Sequence, residues 1–391
     1  MATIFYYFPL RFPWLAVCHF CSNTRPSIPT YPDSTPPYQL MSPPALVVPK
    51  QSRLSWSIST HLFLAFTIRL IIIVITTSLE RQNNDGILQS SFTYTDIDYA
   101  VFSDGAYLSS QNKSPLDRRT FRYTPFLADL LSLLITPDAD PDDPIGILGK
   151  ILFAAADTLN GYLIYTLTPT TPTTALFFWL YNPLPINICT RGSAESLLPL
   201  LPVLLTISLL TAARSYTRTA LAGICHGVAV HGKIYPIIYS ISYLTHLSSD
   251  SNALATARNP HAILFTLVSA GTFLLLTALA HANHPLYLEN GLLYHLSRVD
   301  HRHNYSPFFY PIYLLISQPT TPIPYLPRLA THAVLPQTAL LLFTSLRLAP
   351  HDLPFTLFLQ SFMFVTLNKV ITGQYFTWYA STQRNRPPYA L

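Results

Sequence analysis

Charge is what this chain has least of. Its 391 residues hold 23 Lys and Arg and 18 Asp and Glu, so only 10% are charged. A water-soluble domain usually carries roughly 25%, and a surface so poor in ions cannot coat a globule for water. Cysteine is also scarce. Cys18, Cys21, Cys189 and Cys225 make no disulfide framework, and Cys18-x-x-Cys21 has no second pair to complete a zinc site. The net charge of +5 is small and spread out, so the basic patch of a nucleic-acid binder is missing. No internal repeat of the kind that marks many transporters is found.

Hydrophobicity is what fills the space. Apolar residues make up 50% of the chain and the mean hydropathy is +0.31. A helix needs roughly 20 mostly apolar residues to cross a bilayer. Ala262 to Ala280 is uncharged, as is Ser196 to Ala213, and Leu54 to Leu79 is interrupted only by Arg69. In lipid the backbone must satisfy itself, which leaves helices and closed barrels. Long runs without alternation argue against a barrel. The fold class is therefore an all-α polytopic membrane protein. Further apolar segments at 124–136, 145–165, 174–189, 219–245, 306–318, 329–347 and 354–380 bring the expected total to roughly 8–10 transmembrane helices. Some of these are short enough to be re-entrant or interfacial.

Two parts are expected. Residues 1–53 form a proline-rich, disordered N-terminal segment, since eight of the 24 residues from Pro26 to Pro49 are proline. Residues 54–391 form the multi-pass membrane part. Lys50 and Arg53 precede the first span and Glu80 follows it, which places the N-terminus in the cytosol and the first loop in the lumen.

That loop opens on Tyr94-Thr95-Asp96-Ile97-Asp98-Tyr99. On an extended backbone residues i and i+2 share a side, so Asp96 and Asp98 would face one pocket. A crowded carboxylate pair raises the pKa of one member and suits it to proton transfer. The plainer reading is two turn-forming aspartates. Farther along, Arg118, Arg119 and Arg122 precede Tyr123, and guanidinium forks match phosphate oxygens, although such arginines also anchor lipid headgroups. Asp117 is expected to pair locally with an arginine.

Other polar clusters interrupt the apolar runs. Arg191 and Glu195 are four apart and are expected to pair on one helical turn. His226, His231 and Lys233 put ionisable groups inside an apolar stretch, where such groups default to a functional reading if they sit at membrane depth. Asp300-His301-Arg302-His303 is the densest cluster. Zinc ligation there lacks a clear third ligand, and contacts to phosphate or sugar hydroxyls suit it better. Asn368, Lys369 and Gln374 are expected on a helix among aromatics, a setting that suits a sugar or an interfacial belt.

Taken in order, DIDY and VFSD (96–104), SPLDRRTFRYTP (114–125), GKILFAAADTLNGYLI (149–164), WLYNP (179–183), TRGSAES (190–196), VHGKIYPIIY (230–239), YHLSRVDHRHNYS (294–306) and NKVITGQYFTWY (368–379) resemble the catalytic subunits of glycosylphosphatidylinositol (GPI) mannosyltransferase I. The resemblance covers about residues 60 to 379. It implies a GT-C-type fold in the endoplasmic-reticulum membrane, with the active site facing the lumen. It also implies transfer of mannose from dolichyl-phosphate-mannose to the glucosamine of a GPI precursor, with an α1,4-linked product. A β-linked donor and an α-linked product mean inversion, hence one displacement and one general base. The acidic motif of the family falls on Asp96 and Asp98, and spacing does not separate the two. Binding roles fall to Arg118, Arg119, Arg122, Tyr123, Arg191, Glu195, His231, Lys233, Asp300, His301, Arg302, His303, Asn368, Lys369 and Gln374. No resident cofactor or metal is expected. A small noncatalytic stabilising membrane subunit is implied by the resemblance alone.

Leu116, Gly232 and Cys189 depart from residues usual in the family, and the family continues with another hydrophobic segment beyond Tyr379. Competing readings are a transporter, another polyprenyl-phosphate-sugar transferase, and a structural subunit without chemistry. Loop-borne polar clusters favour an enzyme over a transporter, and the loop motifs favour the GPI acceptor.

Overall fold

In the computed structural model the described residues are 56–84, 93–136, 143–168, 173–249, 252–298, 300, 304–317 and 334–382. The proline-rich segment 1–53 and His301, Arg302 and His303 lie outside them. The described residues form helices, turns and loops, with no β-strand among them. The all-α membrane architecture is thus the one observed.

Three described helices are long and apolar enough to cross a membrane: Ile58–Asn83, Ala194–Thr211 and Pro260–Asn283. The first and third turn large apolar side chains outward, including Phe63, Ile71, Leu267 and Leu274, as lipid-facing helices do. Other apolar stretches are broken by local chemistry. Residues 174–189 are divided at Asn182, which caps a new helix from Pro183, where proline lacks the N–H a continuing helix needs. Residues 219–245 divide at Lys233, before the tight turn Tyr235–Tyr239 that contains Pro236.

Helix α1 (Ile58–Asn84) packs on α4 (Leu148–Leu167), with α2 (Ile97–Ser110) and α3 (Pro125–Ser132) between them in sequence. The tie between α1 and α4 is ionic. Arg69 and Asp157 are both fully buried, 2.6 Å apart, and Asp157 also accepts the Ser196 hydroxyl at 2.7 Å. Arg69 donates further to the carbonyls of Ala65 and Leu180, so most of the guanidinium is satisfied where water is excluded. After α5 (Pro183–Thr190) and α6 (Leu200–Thr211), helix α7 (Tyr216–Gly232) lies along α9 (Pro260–Asn283), with α8 (Ser240–Ser248) joining them. Gly227 makes that approach possible: a Cβ there would sit 2.6 Å from the Ser269 carbonyl oxygen.

Two apolar cores support the site. One joins Trp179, Leu204, Tyr239, Tyr243 and Trp378. The other joins Tyr99 and Phe102 of α2 to Leu127 and Leu131 of α3, Phe153 of α4, and Ala194. The second core holds the loop motifs against one another.

Candidate active site

The site begins with a loop docked on a loop. Gly192 has φ +91, a left-handed conformation that glycine enters at little cost. It lies flat on the Tyr99 ring, where a Cβ would come within 2.3 Å of Cδ2. This close approach lets Arg191 reach over. Its backbone carbonyl accepts the Asp96 N–H at 2.9 Å, and its Nε donates to the Tyr94 carbonyl at 2.9 Å. The Tyr94 hydroxyl lies 2.7 Å from the Thr190 hydroxyl. The motifs at 94–99 and 190–196 are thereby one unit.

Asp96 and Asp98 do not lie on an extended strand. Asp96 is the N-cap of α2, and Asp98 sits in its first turn. The reason is local: Asp is a favoured N-cap, and carboxylates suit a helix N-terminus. The two side chains consequently part ways. Asp96 accepts the Asp98 N–H at 3.3 Å and faces Arg191 at 3.7 Å. Burial, and then the charge of Asp98, raise the Asp96 carboxyl above the ordinary value. Asp98 turns the other way. Its Oδ2 accepts the Tyr123 hydroxyl at 2.8 Å, and its Oδ1 has no side-chain partner among the described residues. Burial, and then the Asp98 charge, hold the Tyr123 phenol well above its usual value, so it remains a donor.

Asp98 lines a narrow cleft together with Phe102, Tyr123, Glu195, Lys233 and Gln374. Opposite it, Glu195 is committed on both oxygens. Oε1 is paired with the Lys233 ammonium, and Oε2 accepts the Trp378 indole N–H at 2.8 Å. The Lys233 ammonium also lies over the Tyr375 and Trp378 rings, at 5.5 and 5.3 Å from their centres. Trp378 is stacked between Tyr235, at 3.6 Å, and Tyr375, at 4.1 Å. Of the two carboxylates in the cleft, only Asp98 keeps an oxygen open to accept a proton.

A second narrow cleft shares Tyr123 and Lys233 with the first and adds Arg122, His231, Tyr287 and His295. Arg122 lies over the Tyr294 ring at 4.3 Å and donates to the Asn290 carbonyl at 3.3 Å. The His295 Nε2–H donates to the Arg122 carbonyl, and burial lowers the His295 pKa to about 4, so it is neutral. The two clefts side by side offer a proton acceptor in one and a guanidinium in the other.

A family model described as Mannosyltransferase (PIG-M) matches residues 188–382. The protein named GPI alpha-1,4-mannosyltransferase I, catalytic subunit, of Danio rerio is 38% identical over 298 residues, which cover 73% of this chain and 71% of that one. GPI mannosyltransferase 1 of Saccharomyces cerevisiae is 38% identical over 303 residues, 73% and 70% of the two chains. That of Gibberella zeae is 36% identical over 313 residues, 74% and 71%. The chain belongs to the GPI mannosyltransferase 1 family.

Within this mannosyltransferase the structure gathers Asp98, Tyr123, Glu195, Lys233 and Gln374 into one cleft and Arg122 and His231 into the adjoining one. Other expectations are corrected. Arg191 and Glu195 do not pair with each other, because α5 ends at Thr190 and Gly192 turns the chain; each finds a distant partner instead. Arg118 is tied at 2.7 Å to Asp104, not to Asp117, and Arg119 is exposed. His231 bonds Thr124 at 2.8 Å and reaches Thr277 at 3.3 Å, so it also braces the cleft wall.

Asn368 and Lys369 are not helical, since α10 (Leu353–Thr366) stops before them. Their carbonyls accept from Ser306 and Asn304, and the Ile371 N–H donates to Asn304 Oδ1. This zips residues 304–306 to 368–371 and leaves Gln374 as the member of that motif in the cleft. Asp300 faces Arg298 at 3.3 Å. Trp378 was missed as a site residue. Its signal was there, a tryptophan within an uncharged aromatic run that must place one indole N–H. Among the described residues no three His, Cys, Asp or Glu side chains come together as metal ligands.

Proposed function

We propose that this chain transfers the first mannose of the GPI core from dolichyl-phosphate-mannose to the glucosamine of glucosaminyl-(acyl)phosphatidylinositol. The product is α1,4-linked and is made by an inverting single displacement. The observation that carries the reading is the meeting of five separate motifs in one cleft, with Asp98 the carboxylate left open there. Asp98 Oδ1 takes the proton of the acceptor hydroxyl as its oxygen bonds the anomeric carbon. The bond from that carbon to the phosphate oxygen breaks, and dolichyl phosphate departs with the electron pair.

Tyr123 holds Asp98 in place through Oδ2. Arg122 offers its guanidinium to the phosphate from the adjoining cleft. Glu195, Lys233 and Gln374 bind the acceptor sugar. Phosphate is a good leaving group, so positioning and charge balance supply most of the acceleration. Arg118 and Arg119 stand outside both clefts and are assigned to the lipid headgroup surface.

We place the chain in the endoplasmic-reticulum membrane with both clefts facing the lumen, working with a small noncatalytic membrane subunit. The test incubates microsomes bearing this chain, in cells lacking their own enzyme, with labelled dolichyl-phosphate-mannose and glucosaminyl-phosphatidylinositol. A labelled mannosyl-glucosaminyl lipid sensitive to α-mannosidase is expected. Labelling that requires a nucleotide sugar instead, or appears on another acceptor, refutes the reading.

A further inference from the structure

Glu80 lies in the last turns of α1, outside every motif, yet three donors converge on it. Its Oε1 accepts the backbone N–H groups of Tyr94 and Thr95, both at 2.6 Å, and its Oε2 accepts the Thr95 hydroxyl at 2.5 Å. The same hydroxyl accepts from Lys150 Nζ at 2.6 Å. Lys150 Nζ is 3.9 Å from Glu80 Oε2 and 5.3 Å from the centre of the Tyr99 ring. The side chains of Lys150 and Glu80 are 4% and 15% exposed. Hydrogen bonds to a half-buried carboxylate are charge-assisted, and a chain of them running from ammonium through hydroxyl to carboxylate is mutually polarising.

What the clasp grips is specific. Tyr94 and Thr95 are the two residues just before the cap Asp96, and Asp98 lies three residues beyond Thr95. The body of α2 does not depend on the clasp. Tyr99 is anchored by its own bonds to Gly146 and Lys150, and Phe102 and Ala106 are packed in the core. The clasp therefore governs the entry to the helix and the direction of its first turn.

We propose that Glu80, acting through Thr95 together with Lys150, is a positioning residue that aims Asp98 Oδ1 at the acceptor hydroxyl. The inference rests on Asp98 being the base. Without Glu80 this segment keeps only its contacts to Thr190 and Arg191, which loosens the first turn and lets Oδ1 wander. A misplacement of about 1 Å at a reacting group costs roughly 10²-fold in rate.

The test has two arms. In the kinetic arm Thr95→Val removes the hydroxyl at equal size, and Thr95→Ser keeps it. Val is expected to lower kcat by roughly 10-fold to 10²-fold with donor KM unchanged at matched membrane abundance, and Ser is expected to restore kcat. Equal turnover of the Val and Ser variants, or a loss confined to donor KM, overturns the proposal. In the second arm hydrogen exchange is followed in the purified chain without substrate. Glu80→Gln is expected to speed exchange at Tyr94 and Thr95 while leaving the body of α2 protected; unchanged exchange at those two amides also overturns it. If Glu80→Gln does not accumulate, the charge-matched pair Glu80→Gln with Lys150→Gln is read by the same two outcomes. Because exchange needs no donor, it decides the clasp even for a parent chain that uses a different substrate.

Discussion

Asp98→Asn is the most demanding test of the cleft. The substitution keeps size and shape, and the Asn carbonyl can still accept the Tyr123 hydroxyl that Asp98 now accepts at 2.8 Å. What disappears is the acceptor for a proton at Oδ1 and one negative charge in the first turn of α2. Loss of a general base costs roughly 10²–10⁴-fold in turnover, about 3–5 kcal/mol of barrier at 1.36 kcal/mol per tenfold. Loss of the charge at a helix N-terminus costs only about 0.3–1 kcal/mol of stability. The two effects therefore separate. Turnover in microsomes with labelled donor should collapse while thermal stability and membrane abundance barely change, and donor KM should hold. Asp96→Asn is the control, since Asn is as good an N-cap as Asp, and it should keep most of the turnover. Near-normal kcat for Asp98→Asn across the pH range, or a larger loss for Asp96→Asn, would sink the assignment of the base.

Four further outcomes follow from named contacts. Asp96 has a folded-state pKa above its ordinary 3.8, so the native state holds that proton more tightly. Its contribution to stability is full below 3.8 and declines as pH rises through the raised value; melting curves of the parent and Asp96→Asn should diverge in that window and no further above it. Arg122→Lys keeps the charge but loses the fork, and loss of a charge-assisted bond of about 1.5–3 kcal/mol should raise donor KM more than it lowers kcat, as read in the same microsomal assay. Gly192→Ala meets Tyr99 and a φ of +91; with left-handed strain of about 1–3 kcal/mol it should lower Tm, and activity with it. Asp157→Asn strands the buried Arg69 and should cost about 3–5 kcal/mol, seen as lost accumulation in the membrane that Arg69→Met partly restores.

Much of the site could be read from residue order, for a physical reason. Charged residues are rare in this chain, so Asp98 and Lys233 stood out against an apolar background, and they do meet in space with Gln374 beside them. What could not be read was partnership. Arg191 and Glu195 have helical spacing, but a helix end at Thr190 and a left-handed Gly192 intervene, and ion pairs at 2.7–3.9 Å across loops outrank spacing. The alternation of Asp96 and Asp98 looked like strand geometry because a two-residue motif cannot distinguish a strand from a cap followed by a first turn. Apolar runs concealed their own breaks at Pro183 and Pro236, so fewer described helices reach membrane length than hydropathy alone suggested. Glu80 was legible only as a charge flanking a span. Its role comes from a loop that lies next to it only after folding.

The pairing of Arg69 with Asp157 also bears on how the chain is made. Arg69 lies near the middle of the first span, and an arginine there costs about 2.5–3.5 kcal/mol on insertion scales. The leucine and isoleucine around it make α1 apolar enough to enter the bilayer regardless. Its partner emerges 88 residues later. During synthesis α1 therefore waits in lipid with an uncompensated guanidinium until α4 arrives. A nascent chain stopped before Asp157 leaves that guanidinium without its carboxylate, and one that has passed it does not.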